Sequence, residues 1–127
     1  MLTDLEHTYE DLLDLDGEEF YDYLLGLGRD SFSTIGGKGE LVTGCQSQVW
    51  VNHAQHTKYH TFHIDSDSIM VKGIGAIVST AFNDATTEQA KEIKFEQFKP
   101  LAKKLTYQRQ RGLQSMINKI HEIVNAV

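Results

Sequence analysis

The one cysteine of the chain, Cys45, follows a glycine and precedes a run that favours β-strand, in the stretch GCQSQVWV at residues 44–51. Gly44 permits backbone angles that a side chain would forbid, and a loop beside a strand can present a reactive group from a rigid scaffold. The thiolate of such a cysteine is a nucleophile and a metal ligand. A free cysteine can also be a buried small hydrophobe, so both interpretations of Cys45 stay open.

Four histidines cluster between residues 53 and 63, namely His53, His56, His60 and His63. Imidazole nitrogens bind zinc and other transition metals, and Cys45 lies nearby in sequence. The region has the pattern of a strand, a turn and a strand, in which His60 and His63 point to opposite faces. We therefore expect no functional metal site. A metal-binding scaffold module built from Cys45 and these histidines remains an alternative, as does an independent thiol enzyme with His63 as the base.

The first thirty residues have the pattern of two amphipathic helices. Apolar side chains recur at helical spacing in the first helix at Leu2, Leu5, Tyr9 and Leu12, and in the second at Phe20, Tyr23, Leu24 and Leu27. Thr3 and Asp16 each stand three residues before a glutamate, which is the form of a capping box. Gly26 and Gly28 are expected to loosen the end of the second helix.

An antiparallel pair of strands is predicted after a glycine-rich loop at 29–44 that ends at the cysteine. Residues 49–51 favour strand, 53–58 form a polar connection, and 59–64 can alternate between two faces. One face of the second strand carries His60, Phe62 and Ile64, and the other carries Tyr59, Thr61 and His63.

The second half of the chain is predicted to be mostly helical. The acidic and serine residues at 65–68 can cap a helix, which has its apolar residues at Met70, Ile74, Ile77, Val78, Ala81 and Phe82. Thr86 begins a shorter helix with a capping box, Pro100 disturbs regular structure, and Thr106 begins the last element. One side of that last helix carries Leu113, Met116, Ile117, Ile120, Val124 and Val127.

These elements indicate an α+β fold, in which a small antiparallel β-sheet packs against several α-helices in one domain over residues 1–127. A chain of 127 residues with 40% hydrophobic content can bury one compact core. The net charge of −6 argues against nucleic-acid binding. The lack of a signal-peptide pattern and the single cysteine favour the cytoplasm, and the longest apolar stretch, near 73–82, is too short to cross a membrane.

Three blocks of the sequence, GCQSQVW, DSDSIMVKG and LTYQRQRGLQSM, resemble the SufE family and lie in the family's order. The general resemblance extends from the second predicted helix to the C-terminus. It implies a SufE/IscU-like fold, and it departs from the family where Thr43 and Glu40 replace a proline and an asparagine. Tyr107 and Gln108 also stand where the family has proline and serine.

The resemblance implies that Cys45 accepts sulfur from a persulfide on a SufS-like cysteine desulfurase. The chain would stimulate that enzyme and pass the sulfur to a SufBCD-like iron–sulfur cluster scaffold complex or another sulfur acceptor. Pyridoxal phosphate would belong to the desulfurase, and this chain would need no cofactor of its own. A chain with one cysteine has no internal resolving thiol, which suits a carrier.

The blocks also suggest residues that support the cysteine loop or contact the partner. Gly44, Gln46 and Ser47 flank the cysteine and can shape or hydrogen-bond its loop. Arg109 matches the family's arginine, for which we expect partner contact or loop support rather than catalysis.

Three further residues match the second block, DSDSIMVKG. Asp65 and Asp67 are expected mainly to cap the following helix, and Asp67 also to position the loop or face the desulfurase. Lys72 is either an exposed side chain on an apolar helix or a cation near the thiolate.

Overall fold

The structure is a computed structural model that describes residues 2–33, 35 and 39–127. Its α-helices are α1 (Leu2–Leu12), α2 (Gly17–Asp30), α3 (Ile69–Phe82), α4 (Thr87–Glu92), α5 (Lys99–Ala102) and α6 (Tyr107–Asn125). Its strands are β1 (Glu40–Leu41), β2 (Val49–His56), β3 (Tyr59–Ser66) and β4 (Ala85–Thr86), and a 3-10 turn spans Phe95–Phe98. The predicted α+β fold is confirmed.

The four strands form one antiparallel sheet in the order β1-β2-β3-β4. In the central hairpin Val51 lies opposite Ile64 and His53 opposite Phe62. The predicted shared face of His60, Phe62 and Ile64 is confirmed, since all three are buried. The predicted polar connection at 53–58 is wrong, because β2 runs to His56 and the turn takes only residues 57–58.

Side chains at the C-terminal end of α3 and at its C-cap residue close the edge of β3 beyond the short strand β4. Asn83 Oδ1 accepts a hydrogen bond from the Phe62 backbone N–H at 2.7 Å, and Ser79 Oγ accepts one from the Ile64 N–H at 3.2 Å. Buried backbone N–H groups require such partners. The helix therefore takes the place that a longer fourth strand would occupy, and it lies against the sheet that leads to Cys45.

Close contact between α2 and α3 explains Gly28 of α2 and Gly73 of α3. A side chain at Gly28 would collide with the Ile69 carbonyl, and one at Gly73 would collide with the Leu24 carbonyl. The prediction that Gly26 and Gly28 loosen α2 is wrong, because the helix continues to Asp30. Of the predicted loop at 29–44, residues 29–30 are helical and 40–41 form β1, while 34 and 36–38 lie outside the described residues.

The helix starts agree with the sequence patterns in the second half of the chain. Ser68 Oγ accepts from the Val71 N–H at 3.4 Å, Thr106 Oγ1 accepts from the Arg109 N–H at 3.4 Å, and Thr86 begins α4 with a capping box. Side-chain caps therefore fix the first turns of α3 and α6, and both turns lie beside Cys45.

Other end predictions are wrong, because propensity does not fix the exact start of a helix. Thr3 lies inside α1, which begins at Leu2. Asp16 does occupy the predicted N-cap position of α2, but its carboxylate makes no capping hydrogen bond and meets Lys104 Nζ at 3.2 Å instead. Pro100 lies in the first turn of α5, where proline is tolerated. Val127 is exposed beyond α6, whereas the other apolar residues predicted for that helix are buried.

No helix in the described part of the chain combines the length and apolar character that a bilayer span requires.

Candidate functional site

Cys45 lies in the thiol loop, residues 42–48, which joins β1 to β2. The base of the loop is closed by a hydrogen bond from the Val42 N–H to the Val49 carbonyl at 2.7 Å. Gly44 has φ of +87°, in the left-handed region that favours glycine. A Cβ built at Gly44 would lie 2.8 Å from Ser115 Oγ, so the loop rests directly on α6.

The Cys45 sulfur lies against Gly112 of the same helix, about one turn before Ser115. Its Sγ is 3.9 Å from the Gly112 carbonyl oxygen, a weak S–H contact, and the side chain is half-buried. Burial raises the pKa of the Cys45 thiol, because the thiolate loses hydration there. At neutral pH this conformation therefore holds a protonated thiol.

The far end of the thiol loop is fixed to the junction of β3 and α3. The Gln48 N–H donates to Asp67 Oδ1 at 3.1 Å, and the Asp67 N–H donates to the Gln48 carbonyl at 3.2 Å. Ser66 Oγ–H also donates to that carbonyl, at 2.8 Å. Asp67 thus holds the loop, while the prediction that it mainly caps α3 is wrong, since Ser68 is the N-cap.

A pocket of about 540 Å³ opens beside the cysteine. It is lined by the thiol loop and by the first turns of α3 and α6, through Cys45, Gln46, Ser47, Ser68, Val71, Ile74, Thr106, Tyr107, Gln108, Arg109, Gly112 and Met116. Val71, Ile74 and Met116 give it an apolar wall. Because both helices begin at the pocket, their partial positive ends favour negative charge there, as does the Arg109 guanidinium.

Asp65 and Lys72 lie outside the set of described residues that line this pocket. They pair with each other, Lys72 Nζ to Asp65 Oδ1 at 3.5 Å, and Asp65 Oδ1 also accepts from the Ser66 N–H at 2.8 Å. Asp65 belongs to β3 and does not cap α3. The geometry therefore brings Cys45, Gln46, Ser47 and Arg109 together at the pocket. The Asp65–Lys72 pair lies instead near the hydrogen bonds between Gln48 and Asp67 that hold the loop.

Residues of α6 support the thiol loop in ways that the sequence analysis did not identify. Gly112 and Ser115 lie against Cys45 and Gly44, and Lys119 Nζ lies 3.5 Å from the carboxylate of Glu40 in β1, the strand that precedes the loop. The three α6 residues recur at helical spacing on one stripe. The available signal was Gly112 itself, because a glycine inside a helix is less stable than alanine by about 1 kcal/mol and requires a reason.

His53 of β2 and His60 of β3 form a hydrogen-bonded pair across the hairpin. His53 Nε2 and His60 Nδ1 are 2.7 Å apart, and His60 Nε2 lies 2.7 Å from Thr87 Oγ1. The two imidazole rings also stack, with centroids 5.0 Å apart. Burial lowers the pKa of both histidines, which keeps them neutral at pH 7.

His63 and His56 lie apart from that pair. His63 Nε2 is 3.1 Å from Ser31 Oγ, and its buried Nδ1 has no partner among the described residues. His56 is exposed at the end of β2. Over residues 2–33, 35 and 39–127, no three His, Cys, Asp or Glu side chains are grouped so that they could hold a metal ion.

Comparisons with known proteins match this architecture over nearly the whole chain. The family model described as "SufE: Fe-S metabolism associated domain" matches residues 6–124. The solution structure of a hypothetical protein from Thermus thermophilus has a TM-score of 0.80 and 18% sequence identity, covering 97% of this chain and 94% of that one. At this level of identity the structural match shows a shared fold.

Proposed function

This chain belongs to the SufE family, which is associated with iron–sulfur metabolism, and we propose that it is a sulfur-transfer protein with Cys45 as the acceptor. In this proposal Cys45 takes sulfur from a persulfide on a cysteine desulfurase. The protein thereby stimulates turnover of that enzyme and passes the sulfur to an iron–sulfur cluster scaffold. The observation that carries it is the placement of Cys45 on a glycine-containing loop beside an open pocket.

The reaction is an exchange of sulfur–sulfur bonds. The Cys45 thiolate attacks the terminal sulfur of the donor persulfide, and a new bond forms between that sulfur and Cys45 Sγ. The bond inside the donor persulfide breaks, and the donor cysteine leaves as a thiolate. The thiol proton of Cys45 goes to solvent or to a base of the partner before the attack. Electrons balance within the exchange, so the step requires no external oxidant.

The electrostatics of the site support a step in which docking moves the thiol. At its position against Gly112, burial raises the pKa of Cys45, so the attacking thiolate is scarce. The pocket offers a better place for the anion, because α3 and α6 begin at it and the cationic residue Arg109 is among its lining residues. A partner that draws the thiol loop toward the pocket mouth would therefore favour both ionisation and attack.

The composition of the chain supports a carrier role. Because this chain contains no second cysteine, a persulfide on Cys45 cannot be resolved within the chain to a disulfide and free sulfide. The sulfur therefore stays until an external acceptor removes it. The acceptor thiol must be reduced, so we propose a cytoplasmic location, with proteins rather than nucleic acids or membranes as the partners.

The proposal can be tested by recording the intact mass of the protein, without reductant, after incubation with a pyridoxal-phosphate-dependent cysteine desulfurase and free cysteine. We expect a gain of about 32 Da, one sulfur atom, that disappears with reductant and is absent in Cys45→Ser. Desulfurase turnover, measured as alanine release, should rise with the wild-type protein and not with the variant. A desulfurase that becomes persulfidated itself but transfers no sulfur to Cys45 would contradict the proposal.

The two alternative functions have less support in the geometry. A thiol enzyme with His63 as base requires that histidine beside Cys45, but His63 meets Ser31 and, within the described chain, lines a separate pocket. A metal-binding module requires ligands that converge, and the described residues offer no group of three. Turnover without a desulfurase, or stoichiometric metal in the purified protein, would favour one of these functions instead.

A further inference from the structure

Gly112 is a buried glycine in the interior of α6, where alanine would make a more stable helix. The resting structure gives no steric reason for it. A Cβ built at Gly112 would meet Cys45 Sγ at 3.6 Å, an ordinary van der Waals distance, and no other described neighbour beyond the helix's own backbone lies within 4 Å. Alanine would therefore fit against the unmodified thiol.

The steric situation changes when Cys45 carries a second sulfur. A sulfur–sulfur bond is about 2.05 Å long, whereas the distance from Sγ to the Cβ position at Gly112 is 3.6 Å. Suppose that residue 112 were alanine and that the terminal sulfur pointed from Sγ straight at its methyl group. The two atoms would then be roughly 1.6 Å apart, far inside their van der Waals contact distance. Glycine removes this methyl group and so leaves more of the directions around Sγ open to a tilted terminal sulfur.

The space over Gly112 is continuous with the pocket. Gly112 lines the pocket together with the apolar side chains of Val71, Ile74 and Met116. A sulfur atom is large and weakly hydrated, so an apolar wall suits it. The starts of α3 and α6 and the Arg109 side chain also border this space and favour the negative charge of a persulfide.

We infer that Gly112 is a specificity-determining residue, which leaves room beside Cys45 for the added sulfur atom and so lets the loaded chain keep its loop docked on α6. This inference rests on the proposed sulfur-transfer function and adds the place where the sulfur is held. The position needs glycine because of the loaded state and not because of the thiol state.

The test compares Gly112→Ala with Gly26→Ala, a matched control. Gly26 also lies inside a helix, and a Cβ there would meet nothing within 4 Å. Each protein is loaded without any desulfurase by inorganic tetrasulfide, in which the Cys45 thiolate takes one sulfur and trisulfide leaves. The excess donor is then removed, and the persulfide adduct is followed by intact mass in the presence of glutathione.

We expect the wild type and Gly26→Ala to retain the adduct equally, and Gly112→Ala to lose it roughly tenfold faster, as overpacking predicts. The rate of Cys45 alkylation by iodoacetamide should stay within about twofold in all three proteins, because the contact with the unmodified thiol is ordinary. Thermal unfolding confirms that each variant is folded, and a purely structural role for Gly112 would alter unfolding or alkylation rather than adduct lifetime alone.

The outcomes separate this inference from the proposed function. An adduct as long-lived in Gly112→Ala as in the wild type would overturn the inference and leave the acceptor role of Cys45 intact. A selective loss in Gly112→Ala would support it, whereas transfer from a desulfurase is measured in its own experiment. A wild-type protein that retains no sulfur from either donor would overturn both.

Discussion

The thiol loop and the histidine pair of β2 and β3 both carry groups that can exchange protons and bind ligands, but the fold treats them differently. His60 is fully buried and both of its ring nitrogens lie 2.7 Å from polar partners, His53 and Thr87. Cys45 is half-buried, its only polar contact among the described residues is 3.9 Å long, and it borders a pocket. Hydrogen bonds therefore hold the His53–His60 pair in place, whereas only a weak contact holds the thiol.

This difference shows why a cluster of reactive residue types is a weak signal of a site. Four histidines in one hairpin suggested metal more directly than one cysteine suggested sulfur chemistry. Hydrogen bonds to His53 and Thr87 satisfy both ring nitrogens of the buried His60 and stabilise this part of the fold. The expectation that follows is a separation of effects, in which the histidines control stability and the cysteine controls sulfur transfer.

The largest effect that tests this separation is on the free energy of unfolding. His60→Ala should destabilise the protein by roughly 3 kcal/mol, because it leaves a cavity and removes hydrogen-bond partners from His53 and Thr87. Cys45→Ser should change stability by less than about 1 kcal/mol, since its lost contact is weak. Urea unfolding gives both values, and mass measurement should show that folded His60→Ala still takes up sulfur. Loss of sulfur uptake in folded His60→Ala would break the comparison.

The next effect is the pH dependence of Cys45 alkylation by iodoacetamide. Only the thiolate reacts, so the rate should rise about tenfold per pH unit below the pKa. Because burial raises the pKa of Cys45, the midpoint of the profile should lie above that of the urea-unfolded chain. A midpoint below that of the unfolded chain would contradict this expectation. It would show that the positive charge around the pocket, rather than burial against α6, determines the pKa of Cys45.

A smaller effect is expected when the thiol loop is pushed off α6. In Gly44→Ala the new Cβ would lie 2.8 Å from Ser115 Oγ and the backbone would be strained at φ +87°, so alkylation of Cys45 at neutral pH should accelerate. We expect an increase of about fivefold from partial undocking, equivalent to about 1 kcal/mol. Gly17→Ala is the control, because Gly17 also has positive φ, +55°, but its Cβ would meet nothing within 4 Å. Equal rates in both variants would mean that this contact does not hold the loop.

The smallest expected effect is the loss of thermal stability as the pH falls. Burial lowers the pKa of His53 and His60 below the ordinary value of 6.5, so the unfolded chain binds more protons as the pH falls through that range. The stabilisation from the neutral pair is therefore complete above pH 6.5 and is lost below it. We expect the melting temperature to fall by a few degrees between about pH 7.5 and 5.5, and His53→Gln to reduce this slope. An unchanged slope in that variant would indicate that the pair contributes little.

Much of the fold was predictable because its main elements are long and periodic. The pairing of β2 with β3 and the buried faces of α3 and α6 follow from alternation and from helical spacing. The strands β1 and β4 have two residues each and carry no periodic signal, so they were missed. Their positions depend on neighbours distant in sequence, as the replacement of strand pairing on β3 by Asn83 and Ser79 shows.

The candidate site was only partly predictable, for the same reason. Cys45, Gln46 and Ser47 are adjacent in sequence, and Arg109 was suggested by family resemblance. The contact between Cys45 and Gly112 spans 67 residues, and no local pattern announces it. The capping role given to Asp67 was wrong because the same carboxylate chemistry serves the Gln48 N–H equally well.

One helix, α6, provides both the seat of the thiol loop and part of the pocket where a donor must approach. If partner binding moves the thiol loop, sulfur loading and partner binding are coupled through that loop, and the coupling must be reciprocal. If seated sulfur favours the docked loop while the desulfurase requires the extended loop, the empty chain binds the desulfurase more tightly than the loaded chain does. The carrier would then be released by the arrival of its own cargo, which gives the transfer cycle a direction without nucleotide hydrolysis.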